Sequence, residues 1–386
     1  MASITTDQVR FNNTFLDESF EHACEIESQL PEYLPDIKQV VRVDARPLIT
    51  EVKADNGILE AKGRVDIIVL YMPEEGSLQS HHCRIPFSTG LSGKTCPDNA
   101  RYTGKVRMDS VTCRPLSGRK VELRCVVDMT LQGENAEVAE IVAPTANEIQ
   151  QLECLNQERI VALCIDRVRD EFSVEEMIEL PENSPRMERI VKCDVDAFIG
   201  DRRVTGGKAI LSGELCVNCL YICDIDSGNM EQFATEIPFN RVVEVNGLQE
   251  GDEVGVQLNV MDTAFGILED TSGEDRILSL KVGVAGQVSA YRNQQVNTVS
   301  DAYGKNLHCN IRHQDWAVEQ VLGIDGCHVK ISESFTPAEP IAGIYSAEAY
   351  ADVKRVTLED NKLRFQGDLL VSFLVRKENG DCAGLD

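Results

Sequence analysis

The chain has 386 residues, 42 % apolar and 26 % charged, values of a globular protein long enough for two or three domains. Sixty-four acidic against 38 basic residues leave a net charge of −26, a field that repels nucleic-acid phosphates and anionic lipid. No stretch approaches the ~18 uninterrupted apolar residues of a spanning helix, and with 5 % aromatics the core must come from Val, Ile and Leu.

The chain opens MASITTDQVRFNNTF, with neither the basic nor the apolar region of a secretory signal. Its 14 cysteines, irregularly spaced, therefore read as free and mostly buried thiols of a reducing cytosol. Leu30-Pro31-Glu32 and Pro35 come next, and Pro35 to Val41 fits one or two helical turns with Pro at an early position. From Gly57 to Tyr71, Val65, Ile67 and Val69 alternate with Arg64, Asp66 and Ile68, the period of a strand with one buried face. Ile85-Pro86-Phe87 follows, and then Val121, Leu123 and Cys125 share one side of another alternating run. Asn56-Gly57, Pro73 to Gly76 and Ser117-Gly118 are turn signals between these runs.

The series then repeats. Leu180-Pro181-Glu182 and Pro185 stand 150 residues after the first set, Ile190 to Asp194 after Val40 to Asp44, Gly213 after Gly63, and Leu220-Tyr221 after Leu70-Tyr71. Ile237-Pro238-Phe239 follows Ile85-Pro86-Phe87 at an offset of 152, and Arg276 with Leu278 and Leu280 matches Arg119 with Val121 and Leu123. Leu363 to Gly367 resembles Leu59 to Gly63, so a third copy begins, but no Ile-Pro-Phe block follows it. A half sheet leaves an unpaired edge, so the third copy reads as cut short. The period is far longer than that of a solenoid and points to tandem domains. The boundaries are a first unit over 1–145, a connector over 146–179, a second unit over 180–303, a connector over 304–335 and a truncated third unit over 336–386. Within the connectors, Ile149 to Arg169 fits a 3.6-residue helical stripe only loosely and is read instead as two strands with a turn at Asn156-Gln157, because the matching Leu307 to Val321 carries a β-favouring mix. The fold class is mostly β: repeated antiparallel sandwich or barrel-like domains with little helix.

The chemical motifs are weak. Gly90 to Thr95 ends like a phosphate loop but has Ser88 where the first glycine belongs. On a strand Cys216 and Cys219 point to opposite faces, and Cys219 and Cys223 stand about 13 Å apart, so they form no local tetrahedral set. His81-His82-Cys83 is the densest ligand group, yet its counterparts in the second unit are Phe233, Ala234 and Thr235. His308-Cys309 and Cys327-His328 are adjacent pairs whose side chains splay. No nucleophile elbow or Cys–His signature is present, and acidic pairs such as Glu74-Glu75 read as solvated. No enzyme activity, cofactor or metal is expected. The repeated Leu-Pro-Glu-x-x-Pro is read first as architecture, with proline stopping one element and fixing the direction of the next, and second as a docking feature.

Leu30 to Asp44, with Gly63, Leu70-Tyr71 and Ile85-Pro86-Phe87, resembles the opening of the SPOCS domain. Phe172 to Glu176 leading to Leu180-Pro181-Glu182 resembles the connector of the same family. SPOCS domains occur in SipL-type and related spore coat proteins of endospore-forming bacteria. The resemblance implies a non-enzymatic scaffold for forespore encasement on the mother-cell side of the cytoplasm, with coat morphogenetic proteins such as the coat ATPase SpoIVA as partners. In that family the partner contact depends largely on a C-terminal LysM module, which these residues lack, so direct SpoIVA binding is in doubt. The second copy has Arg186-Met187-Glu188 for Asp36-Ile37-Lys38, and the third has Thr336 to Glu339 for Leu-Pro-Glu. The alternative is a cell-envelope adhesion or carbohydrate-binding array, which needs an export signal and more exposed aromatics than one Trp offers.

Overall fold

The structure is a computed structural model and describes residues 6–92, 96–98, 100–143, 152–305, 310–326, 330–334, 336–337, 339–360, 362–378, 380 and 382–385. Among these residues it is all β, fifteen strands in five three-stranded antiparallel sheets, with no helix and no closed barrel. Lys94-Thr95 of the phosphate-loop-like stretch and the pairs His308-Cys309 and Cys327-His328 lie outside the described residues.

The first unit is a sandwich. Strands β2 (Ile37–Asp55), β3 (Ile58–Pro73) and β4 (Gln79–Leu91) form a meander. Asn56-Gly57 closes its first hairpin with both φ angles positive (51° and 78°), the geometry of a two-residue primed turn. The facing sheet has β6 (Lys120–Val142) at its centre, between β5 (Arg101–Ser117) and β1 (Thr6–Gln29). The alternation read from sequence sets the buried faces: Val65, Ile67 and Val69 from β3 meet Val121, Leu123 and Cys125 from β6 in one core. Pro86 sits on β4, an edge strand, where the missing N–H leaves no central ladder bond unmade.

The second unit repeats the plan. Strands β8 (Arg189–Thr205), β9 (Lys208–Asp224) and β10 (Asn229–Glu244) make the meander. Strand β12 (Asp275–Gly304) lies between β11 (Glu253–Glu269) and β7 (Leu152–Glu179). The third unit is one sheet: β13 (Ile341–Glu359), β14 (Lys362–Lys377) and the short β15 (Cys382–Leu385).

Three local expectations change. Ile37 to Val41 is the start of β2, not a helical turn: Ile37 N–H bonds Gly118 O at 2.7 Å, and the β-branched run continues into pairing with β3. Residues 152–179 do form strand, but as one element with no turn at Asn156-Gln157, paired with β12 throughout and thus a full member of the second sandwich. In the second connector, residues 310–326 form no strand; Ala162 N–H of β7 donates to Glu319 O at 2.7 Å, while Trp316 packs edge-on against Phe11 of β1, in the first sandwich, at 5.4 Å.

Candidate functional site

The repeated Leu-Pro-Glu-x-x-Pro is a clamped turn. Leu34 N–H bonds Pro31 O at 3.1 Å, and in the second unit Ser184 N–H bonds Pro181 O at 2.9 Å. Arg119 donates to the carbonyls of Leu34 (3.1 Å) and Pro31 (2.8 Å) and pairs with Asp36; Arg276 donates to those of Ser184 (2.7 Å) and Pro181 (2.7 Å). Tyr71 Oη donates to Pro35 O at 2.9 Å and Tyr221 Oη to Pro185 O at 3.1 Å. Burial holds both phenols protonated, pushed up to about 12. Leu30 and Leu180 are buried beneath the turn, whereas Glu32 and Glu182 point to solvent. The leucines and the proline carbonyls of the motif thus shape the step from one sheet to the next, while its glutamates stay outside the clamp.

Gly63 and Gly213 serve a second repeated device. Each lies opposite the phenylalanine of the Ile-Pro-Phe block, Phe87 and Phe239. On its other side each faces a bulge, Ile49/Glu51 or Ile199/Asp201. A Cβ on Gly63 would stand 2.3 Å from both Leu48 O and the Phe87 ring; one on Gly213 would stand 2.2 Å from Phe198 O and 2.6 Å from the Phe239 ring. The ring lies over the glycine and fills the core where no side chain fits.

The three meanders meet back to back. Leu70, Leu220 and Leu374, at equivalent positions of β3, β9 and β14, are buried in one apolar cluster. Beside it the equivalent carboxylates Asp44, Asp194 and Glu348 surround Lys192 and Arg42. Lys192 Nζ lies 2.5 Å from Asp44 and 2.8 Å from Asp194 and also pairs with Glu348. Arg42 Nη2 reaches Glu348 at 2.8 Å. Burial alone lowers a lysine pKa, but these three carboxylates outweigh it and Lys192 stays charged with its pKa raised. Arg46 extends the network to Asp194 (3.3 Å) and Asp196 (3.1 Å), and Arg107 of β5 pairs with Asp352 of β13. One buried lysine thus joins all three units.

A cleft of about 690 Å³ opens beside this junction between the first two units. Its charged lining is internally matched: Arg84 pairs with Asp66 and Asp262, which Arg64 beside the cleft also reaches, and Arg46 faces Asp194 and Asp196.

The ligand groups read from sequence do not assemble. His81 points into the first core and bonds Ser28 Oγ at 2.8 Å, while His82 lines the cleft. Burial, and for His81 the neighbouring His82, lowers both imidazole pKa values; Asp194 opposes this at His82. Cys83 returns to the core beside Cys113, and burial pushes both thiols up to about 11. Cys219 is buried opposite Cys193, and that contact together with burial raises its pKa far above a thiol's usual range. Cys216 lies on the other face of β9, near the carboxylates of half-buried Glu214 and exposed Glu236.

Residues 36–116 and 186–268 match the family described as SipL, SPOCS domain. The chain carries two SPOCS domains. Comparison with curated proteins and with solved structures gives no match. Each matched stretch spans the meander and the next strand, β2 to β5 and β8 to β11. The folded SPOCS sandwich is larger than its matched stretch, because its second sheet also needs the preceding strand (β1 or β7) and the following one (β6 or β12). The two SPOCS matches leave out β13 to β15, although Gly367 repeats the glycine, with a Cβ there 2.0 Å from Asp352 O at the bulge Val353/Arg355. The sequence reading does not pick out the junction around Lys192; its one signal is that Arg42, Asp44, Lys192 and Asp194 recur as charged residues inside the matched repeat blocks.

Proposed function

We propose that this protein is a non-enzymatic scaffold that acts by protein–protein contact in spore coat assembly around the forespore, on the mother-cell side. The match of two SPOCS domains to a family named for SipL carries the sporulation part of this reading. The scaffold part is supported by how the charged groups are used. Arg46 and Arg84 at the cleft, Arg64 beside it and Lys192 at the junction are spent on ion pairs that join units, which holds the units in fixed relative positions. Burial keeps the core thiols protonated, a state suited to packing and not to nucleophilic attack. Coat morphogenetic proteins, SpoIVA among them, are the partners this reading names. Among the described residues no helix is long and apolar enough to cross a membrane.

The test is a fluorescent fusion followed through sporulation in the source organism. A shell around the developing spore is the expected result. A diffuse signal, or one on the vegetative envelope, overturns the assignment.

A further inference from the structure

Two pairs of cysteines face each other across the strand ladders. Cys24 of β1 is the register partner of Cys125 of β6, and Cys193 of β8 is that of Cys219 of β9. Among the described residues these are the only strand positions where cysteine stands opposite cysteine. In each pair the two thiols are hydrogen-bonded to each other. Directly opposed residues of an antiparallel pair have Cα atoms about 4.5 or 5.5 Å apart, and both spacings lie inside the ~4.4–6.8 Å that a disulfide spans. The second SPOCS domain has Val174 opposite Val282 where the first has Cys24 opposite Cys125. The first has Val43 opposite Val69 where the second has Cys193 opposite Cys219. Valine fills these places in the other domain, so packing alone does not call for sulfur. In both cases the two partners differ together, and neither domain is left with half a pair. One cysteine of each pair lies on an edge strand, β1 or β8, and the other on a central strand, β6 or β9. Cys24 is half-buried and the other three are buried.

We propose that each SPOCS domain carries an oxidative cross-linking site, Cys24–Cys125 in the first and Cys193–Cys219 in the second, which closes to an intramolecular disulfide by exchange with a low-molecular-weight disulfide. Local opening of the edge strand lets the reagent reach its cysteine first. That thiolate attacks one sulfur of the small disulfide, whose S–S bond breaks and releases one small thiol. The opposite cysteine then gives up its proton and attacks the edge-strand sulfur of the mixed disulfide, releasing the second small thiol. Two protein S–H bonds are lost, the protein is oxidised by two electrons per pair, and the small disulfide is reduced to two thiols. Burial holds the thiols protonated, so closure is slow at neutral pH and quickens as the pH rises. The first link ties β1 to a strand about a hundred residues onward, and the stabilisation from such a link grows with the loop it closes. The second fixes β8 to β9 at the residue next to Lys192, beside the junction of the three units.

The test incubates the reduced full chain with oxidised glutathione, quenches it in acid, alkylates it after denaturation and maps its peptides without reduction. The expected result is the loss of two hydrogens per pair and cross-linked peptides for Cys24–Cys125 and Cys193–Cys219, with Cys83, Cys113 and Cys216 alkylated. Closure should run roughly tenfold faster for each unit of pH below the thiol pKa. The oxidised chain should melt at least ~5 °C above the reduced one. Cys24→Val/Cys125→Val installs the pair that the second domain already uses. That variant should fold, keep the second cross-linked peptide, and lose most of the rise in melting temperature. Absence of both cross-linked peptides overturns the proposal. So do glutathione left as a mixed disulfide on Cys24 or Cys193, links to Cys83 or Cys113 instead, or links between chains. A melting temperature lowered by closure overturns it too, since the disulfide would then be damage and not a built site.

Discussion

Lys192 Nζ sits 2.5 Å from Asp44 Oδ2, although the two residues belong to different SPOCS domains. The pair is buried, and Glu348 of the third sheet closes on the same nitrogen. Removing one partner of a buried ionic cluster leaves the others uncompensated, at a cost of about 3–5 kcal/mol. Lys192→Ala is therefore expected to loosen the third sheet first. Hydrogen exchange should show β13 and β14 losing protection while β3 and β9 keep theirs; uniform protection in the variant would refute the central role of Lys192.

Gly63→Ala forces a methyl group into Leu48 O and the Phe87 ring. A main-chain carbonyl at a bulge cannot swing aside as a side-chain end can, so the loss is expected at the upper end of overpacking, about 3 kcal/mol. Gly213→Ala should behave alike in the second SPOCS domain. Chemical denaturation followed separately for each domain, by tryptophan placed in one and then the other, reads this directly.

Tyr71→Phe removes one hydrogen bond to Pro35 O and should cost about 1 kcal/mol. Arg119→Ala strips the donors from several carbonyls of the clamped turn and should cost more, about 2 kcal/mol. The order of the two midpoints in urea is the measurement; the reverse order would mean that the tyrosine holds the turn and the arginine only decorates it.

Burial keeps the His81 and His82 imidazoles below their ordinary value of 6.5. The folded state prefers their neutral forms, so this contribution is whole above pH 6.5 and is lost as the pH falls through the lowered folded values. The melting temperature should drop between pH 7.5 and pH 5.5. His81→Gln/His82→Gln should flatten that drop, and an equally steep profile in the variant would assign it to other groups.

The thiols of Cys83 and Cys113, pushed up to about 11, and that of Cys125, pushed up to about 12, are almost wholly protonated at neutral pH. Alkylation by iodoacetamide should be at least ~tenfold slower at these sites than for free cysteine until the chain is denatured. Peptide mapping after timed quenching would show it; fast native labelling of Cys125 would contradict its burial.

Much of the fold was legible because two signals agreed. Alternation in Val65, Ile67 and Val69 fixed a buried face, and repetition at one spacing fixed the unit. The glycines and the Ile-Pro-Phe blocks stood out as repeated, but their pairing across the sheet depends on register, which no local pattern carries. Ile149 to Arg169 reads from sequence as strand but not as a sandwich member, because its described residues pair with β12, more than a hundred residues onward. The ionic junction was hidden for a different reason. A lysine inside a strand pattern reads as solvated until two other sheets are known to cover it.

The wide separation of paired strands also bears on how the chain is made. β1 finds its partner only when β6 has emerged, with Gln29 opposite Lys120 and Thr6 opposite Val142. At a synthesis rate of about 5–20 residues per second, β1 waits on the order of ten seconds beside a growing meander. β7 later waits for β12 in the same way. The two intervals do not overlap, since β6 ends at Val142 and β7 starts at Leu152. Vectorial synthesis thus closes one sandwich before the strand that is its closest competitor exists. Refolding from denaturant offers both long strands at once, so the nascent chain has a protection against strand exchange between repeats that the refolding chain has lost.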